Sequence, residues 1–491
     1  MVAGSFAAWC IRPRTMGAGR LAAAWSAAAL AAITVTAWAQ GPDDYWPQWR
    51  GPRGTGVAPH ARPPRQWDAQ TNIAWKVPIP GDGTSTPIIW ESRVFVQTAV
   101  AAREDGSREP GGALPSRAGK GGAGKGLPGK AAPPGRGGFP GKGPGGGFGG
   151  TAAPNEPYRW MLLCLDRQTG KTLWQKVARE EVPHEGFRPG DGSFAASSAL
   201  TDGQRVYAFF GSRGIYCYDF AGNLLWEKDL GDQQTRNGFG EGATPALWGN
   251  TLVVPWDHEG DDFIVALDKH TGNELWRQRR DEPTCWSTPL IVEHEGKAQV
   301  IACGTNRVIS YDLASGQRLW ELEGLTANVI PTGVAAGDTV FLTSGFRGSK
   351  LLAVRLGRTG DLTGTDAVLW RYDQDTPYVP SPLLSENRLY FFKSNNAILT
   401  CLDTTTGKPL FAAQRIGELG SSVYASPIAA DGHVYLVGRN GTTVVIKDAP
   451  QLQLVATNVL NDPIDASPAA VGRQLFLRSR THLYCLQEKD R

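Results

Sequence analysis

The segment "ALDKHTGNELW" (Ala266–Trp276) recurs through the chain in outline. "CLDRQTGKTLW" (Cys164–Trp174) and "SYDLASGQRLW" (Ser310–Trp320) keep the same frame. "CYDFAGNLLW" (Cys217–Trp226) is one residue shorter, and "CLDTTTGKPLF" (Cys401–Phe411) ends on Phe. A unit repeated at a spacing of about 40 to 50 residues constrains the fold more than any local propensity, because each copy must be the same supersecondary piece.

The Asp-turn-Trp unit is one of four recurring pieces. A small-residue and Pro step comes first: "STP" at Ser85 and Ser287, "ATP" at Ala243, "PSP" at Pro380, "ASP" at Ala425 and Ala466. A short apolar strand follows, then a turn and a second strand such as "VYAFF" (Val206) or "LYFF" (Leu389). After a loop come the "IVALD" strand, the Thr-Gly turn and the "ELW" strand. Four short strands per repeat and no helical period define an all-β chain. Four-stranded antiparallel blades of this length build a propeller. A ring placed once per repeat can slot between neighbouring blades and bury on the order of 200 Å². Trp75, Trp174, Trp226, Trp276, Trp320, Trp370 and Phe411 are the expected docking residues, with Leu454 as a weaker substitute.

Repeat starts fall near Ser85, Ala196, Ala243, Ser287, Val329, Ser381, Ser426 and Ser467, which gives eight blades. The last repeat stops at "LYCLQ", its third strand, while an orphan "NIAWKV" (Asn72–Val77) precedes the first. Pairing these two ends completes the eighth blade and removes the open edges that threaten an unclosed sheet.

Three regions lie outside the repeats. Arg12, Arg14 and Arg20, the apolar Leu21–Thr36 and the small-x-small Ala37–Ala39 read as a secretory signal peptide cleaved after Ala39. Residues 1–39 are therefore the signal and 40–71 an irregular leader. Residues 72–491 form the propeller, expected in the periplasm or outside the cell with no membrane span. Trp46, Trp49 and Trp67 suggest that the leader packs on the propeller. At about 101–157 a Gly-, Pro-, Lys- and Arg-rich insert cannot bury enough apolar surface to fold, and reads as a flexible spacer or a basic arm.

Formal net charge is +3, so composition argues for no nucleic-acid partner. Six cysteines follow the signal. Cys164, Cys217, Cys401 and Cys485 share one repeat position and read as small buried residues. Cys285 and Cys303 flank one predicted hairpin; a bridge would suit an exported protein, but the register is a few residues off.

"ALDKHTGNELW" fits the docking motif A-x-D-x-x-T-G-x-x-x-W, and the chain resembles the pyrroloquinoline-quinone (PQQ) type propellers over about residues 72–487. That superfamily includes quinoprotein alcohol dehydrogenases and the propeller lipoprotein of the outer-membrane β-barrel assembly machinery. The leader "WPQWRGPRGTGV" (Trp46–Val57) is similar to that of exported PQQ-like repeat proteins of planctomycetes and related bacteria. The resemblance implies fold more than chemistry. The adjacent-cysteine ring of many quinoprotein dehydrogenases is missing, as are C-x-x-C-H, G-x-S-x-G and H-E-x-x-H. "GKGGAGKG" (Gly119–Gly126) lacks the Ser or Thr and the strand–helix context of a phosphate loop.

Candidate site residues come from the loops after second strands. Arg213, Arg307, Arg347, Arg439 and Arg480 recur at one level around the ring, as an anion-attracting or partner-binding surface. In "DHEGDD", Asp257, Glu259 and Asp261 alternate with His258 between. An extended segment would point the carboxylates together as a hard-cation site, whereas the plainer reading is a solvated acidic loop. The expected function is a non-catalytic, monomeric binding or scaffolding module of the bacterial envelope, without cofactor, whose partner is an envelope protein or anionic polymer. The alternatives are a divergent dehydrogenase using PQQ with Ca²⁺, and a hydrolase or lyase using Asp257, His258 and Glu259.

Overall fold

The computed structural model describes residues 41–103 and 149–489; the signal segment and most of the insert lie outside the described residues. Eight antiparallel sheets stand in a ring. Blade 1 runs Ile88–Trp90, Arg93–Ala101, Tyr158–Asp166, Thr172–Glu181, from innermost strand to outermost. The inner strands of blades 2 to 8 are Leu200–Thr201, Ala246–Trp248, Leu290–His294, Val334–Ala336, Leu383–Ser385, Ile428–Ala430 and Ala469–Val471. Blade 8 takes its outermost strand from the other end of the chain. Ile73–Pro78 lies antiparallel to His482–Gln487, with Trp75 opposite Cys485, which closes the ring as expected. Among the described residues no helix is long and apolar enough to cross a membrane.

The repeated unit is explained atom by atom in blade 3. Asp268 Oδ1 accepts the amides of His270 (3.0 Å) and Thr271 (2.9 Å) and the Thr271 hydroxyl (2.9 Å), while the Gly272 amide donates to the Asp268 carbonyl (2.8 Å). The turn needs Gly twice over. Gly272 has φ +71°, and a Cβ there would stand 2.6 Å from the Trp226 ring of the preceding blade. That indole donates from Nε1 to the Lys269 carbonyl, 3.0 Å. The same bond to the residue after the turn Asp is made by Trp75 to Arg167, Trp174 to Phe220, Trp276 to Leu313 and Trp370 to Thr404. Each of these five tryptophans is thus fixed by a hydrogen bond as well as by packing.

Two blades depart from this pattern. Blade 5 replaces its tight turn with a longer connection whose Gly360–Asp361 pairs in parallel with the outer strand of blade 4. Trp320 turns instead onto Gln299 Oε1 of its own blade, 2.8 Å. In blade 7 the expectation for Leu454 is corrected. Leu454 pairs with Ile446 and is 54% exposed, and Ala456, opposite Val445, holds the docking position. The leader's buried Trp67 is tied to this strand, its amide donating to Asn458 Oδ1 at 2.8 Å.

Small residues face the docking rings inside each blade: Cys164 opposite Trp174, Cys217 opposite Trp226, Ala266 opposite Trp276, Ser310 opposite Trp320, Cys401 opposite Phe411. All the described cysteines are buried and free, Cys285 and Cys303 included.

The leader does more than pack on the ring. Trp46 exchanges backbone hydrogen bonds with Ile89 of blade 1 (3.0 and 2.9 Å), and Thr201 of blade 2 donates to Pro47. The chain then crosses to the other side, where Leu384 of blade 6 donates to Thr55 and Val57–Ala58 pairs in parallel with the inner strand of blade 7. Midway, buried Arg50 donates to the carbonyls of Pro427 (3.1 Å) and Pro382 (2.9 Å). Burial without a carboxylate pushes its guanidinium down to about 9. The leader thereby strings together inner strands from opposite sides of the ring, across the axis.

Candidate functional site

Alternating strand direction sends the loops after second strands, and the connections after fourth strands, to one face. The opposite face carries the tight turns. On the loop face the axis opens into a cavity of about 430 Å³, and the leader's Trp49 is part of its lining. The Trp49 indole donates to Ser467 Oγ at 3.4 Å.

Five further aromatic residues line it: Phe239, Trp286, Phe346, Tyr378 and Tyr424, each half-buried. Phe346 and Tyr378 stack with centroids 4.7 Å apart, and Trp286 donates from Nε1 to the Gly240 carbonyl, 2.7 Å. The sequence reading missed these residues, although a signal exists. Trp286, Tyr378 and Tyr424 stand within three residues before a Pro step, so the inner strand beginning there carries the ring to the axis.

The Pro step itself builds the rest of the lining. The Thr86 amide donates to Ser198 Oγ (2.9 Å), Ser198 to Thr244 Oγ1 (3.1 Å), Ser381 to Ser426 Oγ (2.9 Å) and Ser426 to Ser467 Oγ (3.0 Å). In six of the blades this amide is satisfied by the next blade's hydroxyl, since Thr244 also donates to Thr288 Oγ1 (3.2 Å) and Thr332 to Ser381 Oγ (3.0 Å).

Charges at the cavity are mutually engaged. Asp191 pairs with Arg188 (2.8 Å) and accepts the Tyr424 hydroxyl (2.6 Å). Asp465 takes Arg439 (2.5 Å) and Arg480 (3.1 Å), and both arginines also donate to the Gly190 carbonyl. Glu241 accepts the Ser212 amide (2.7 Å) and hydroxyl; desolvation pushes its carboxyl up against these bonds.

The arginine expectation is accordingly refined. Arg439 and Arg480 reach the cavity rim, but as clamps on the Arg188–Gly192 loop. Arg213 is buried, held by Glu181, Asp232 and His184 Nδ1 beneath the loop between blades 1 and 2. Arg307 pairs with Glu321 at 3.1 Å. Arg347 is exposed, its guanidinium 5.4 Å from the Phe346 ring centre.

The acidic loop is not an extended strand, so its alternate residues do not share a direction. Asp257 is buried against Arg280 (2.6 Å), Glu259 accepts the Thr284 hydroxyl (3.0 Å), and the Asp261 side chain is 99% exposed. His258 Nδ1 accepts the amides of Gln234 and Gly260, both at 3.1 Å. Among the described residues no group of three or more His, Cys, Asp or Glu could hold a metal ion, and Asp257, Glu259 and Asp261 each meet a different partner or solvent.

Residues 161–344 match the family described as outer membrane protein assembly factor BamB. No curated protein is significantly similar to the chain. Among solved structures, the quinohemoprotein alcohol dehydrogenase of Comamonas testosteroni aligns over 92% of this chain and 82% of its own, with TM-score 0.55 and 9% identity. BamB from Moraxella catarrhalis aligns over 66% of this chain and 91% of its own, with TM-score 0.48 and 12% identity. The computationally designed Ika8 protein aligns over 67% and 90%, with TM-score 0.48 and 16% identity. The matched segment makes the chain similar to that family over residues 161–344, and the eight-bladed ring is the fold it shares with the quinohemoprotein.

A quinoprotein of this fold would hold PQQ, a tricarboxylate, with a divalent cation. The cavity residues do not fit that pair. Asp191, Asp465 and Glu241 are each engaged by arginine or serine, and Arg188 and Arg439 already face carboxylates.

Proposed function

We propose that the chain is an exported binding module of the bacterial envelope, in the manner of the planctomycete-type repeat proteins its leader resembles, and that it engages its partner through the loop face. The observation that carries this reading is the axial cavity: aromatic-lined, reached by the leader from behind, and walled by carboxylates already committed to internal partners. Such a surface offers contact area and hydrogen bonds and no unengaged acid–base pair. Export rests on the segment from Arg12 to Ala39. A photo-reactive residue at Phe346, on the cavity wall, should cross-link to an envelope component, and one at exposed Lys297, on the turn face, should not. Cross-linking from Lys297 alone would overturn the assignment.

A further inference from the structure

The lining of the axial cavity has a one-sided hydrogen-bond character. Ser198, Thr244, Ser426 and Ser467 line it, and each is at most 5% exposed. Each hydroxyl oxygen already accepts a backbone amide of the preceding blade. Ser467 also accepts the Trp49 indole. A hydroxyl can still donate once, and among the described residues none of these four donates to a protein acceptor. Four buried O–H donors are therefore left to a ligand or to water, which sets the chemistry of what settles there: oxygen acceptors.

The walls set the rest. Arginine guanidiniums already lie over three of the cavity's aromatic rings: Arg188 at 5.6 Å from the Phe239 centre, Arg347 at 5.4 Å from Phe346 and Arg439 at 3.9 Å from Tyr424. A cationic ligand would compete with these for the rings and be repelled by them. An anionic ligand would have to displace Asp191 and Asp465 from Arg188 and Arg439, and would meet without that cost only the exposed Arg347 over Phe346. A neutral ligand meets neither cost. The cavity also falls within the usual range of small-ligand pockets, roughly 300 to 1,000 Å³.

We infer that the axial cavity binds a neutral sugar ring, the exposed end of an uncharged glycan, with its oxygens on the Ser/Thr donors and its C–H face on Trp286 or Tyr378. The inference rests on the loop-face reading above and names the ligand class of that site.

The test is a titration of the full mature chain with uncharged hexasaccharides: α-1,4- and β-1,4-linked glucose, and β-1,4-linked N-acetylglucosamine. Tryptophan fluorescence and calorimetry are read at low and high salt. One of the three should bind, with a Kd that does not move with salt, because no charge is screened. Trp286→Ala should weaken binding at least about tenfold, as loss of an aromatic anchor does. Trp286→Phe should keep most of the affinity, since it retains a ring face. Melting curves check that both variants fold. An uncharged environment-sensitive aromatic dye, N-phenyl-1-naphthylamine, is titrated in parallel as a probe of access. If the dye binds in a Trp286-dependent way and none of the sugars binds or displaces it, the sugar inference is overturned and the loop-face site stands. If binding is confined to charged oligosaccharides or to a peptide, the inference is likewise overturned. If neither sugars nor dye enter, the cavity is not a site and both readings fall.

Discussion

Trp276 shows how much one residue of the repeat is asked to do. Its ring is 8% exposed, lies 6.2 Å from Tyr311 of the next blade, and donates to the Leu313 carbonyl at 2.8 Å. Trp276→Ala removes packing and leaves that carbonyl without its donor, so a loss of about 3 to 5 kcal/mol is expected in a denaturant titration. Binding to any ligand should change only as far as folding does. The turn Asp carries a second, pH-dependent share. At Asp166 the Thr169 hydroxyl, and against burial the Thr169 and Gln168 amides, hold the carboxyl below its ordinary value. A depressed carboxyl stabilises the fold above the unfolded pKa, and that contribution is lost as pH falls through the folded value. Melting temperature should therefore drop as pH is lowered below about 4, and Asp166→Asn should flatten that part of the profile. An unchanged slope in the variant would contradict the role assigned to the turn. These residue roles were legible in the sequence because spacing repeats them. Trp320's bond to Gln299 and the place of Ala456 were not: the first depends on the longer connection of blade 5, and the second stands beside blade 8, whose third and fourth strands come from opposite ends of the chain and share no turn.

At the scale of elements, the repeat announced the eight blades and their closure, while the leader's path had no periodicity to announce it. Trp46 and Trp49 pointed to packing; that the segment crosses the axis follows from backbone bonds to blades 1, 2, 6 and 7, which only the folded ring brings near. Arg50 is the element's fastening, a cation with carbonyl partners only. Arg50→Ala leaves buried carbonyls unpaired and should cost about 1.5 to 3 kcal/mol. Limited proteolysis should then cut within residues 41–71 before it cuts the blades. Unchanged cleavage together with an unchanged melting curve would show that Arg50 does not hold the leader. The candidate site divides in the same way. Its loop-face location followed from strand order, and Arg439 and Arg480 do reach the rim. The aromatic lining went unread because each ring stands alone before a Pro step and converges with the others only around the axis.

At the scale of the whole molecule, the ring separates two faces with different offices. One presents tight turns whose side chains are spent on their own geometry, as Asp268 and Thr271 are. The other presents longer connections around an aromatic cavity, where Arg439 and Arg480 hold Asp465 and the Gly190 carbonyl. The central claim is that recognition belongs to this second face. Its most direct measurement extends the cross-linking comparison around the ring, with photo-reactive residues placed one blade at a time on the loop connections and, separately, on the exposed turns. Adducts from envelope preparations should cluster on loop positions near Phe239, Phe346, Tyr378 and Tyr424, with none from the turn positions. Adducts spread evenly over both faces, or gathered on the turns, would contradict it.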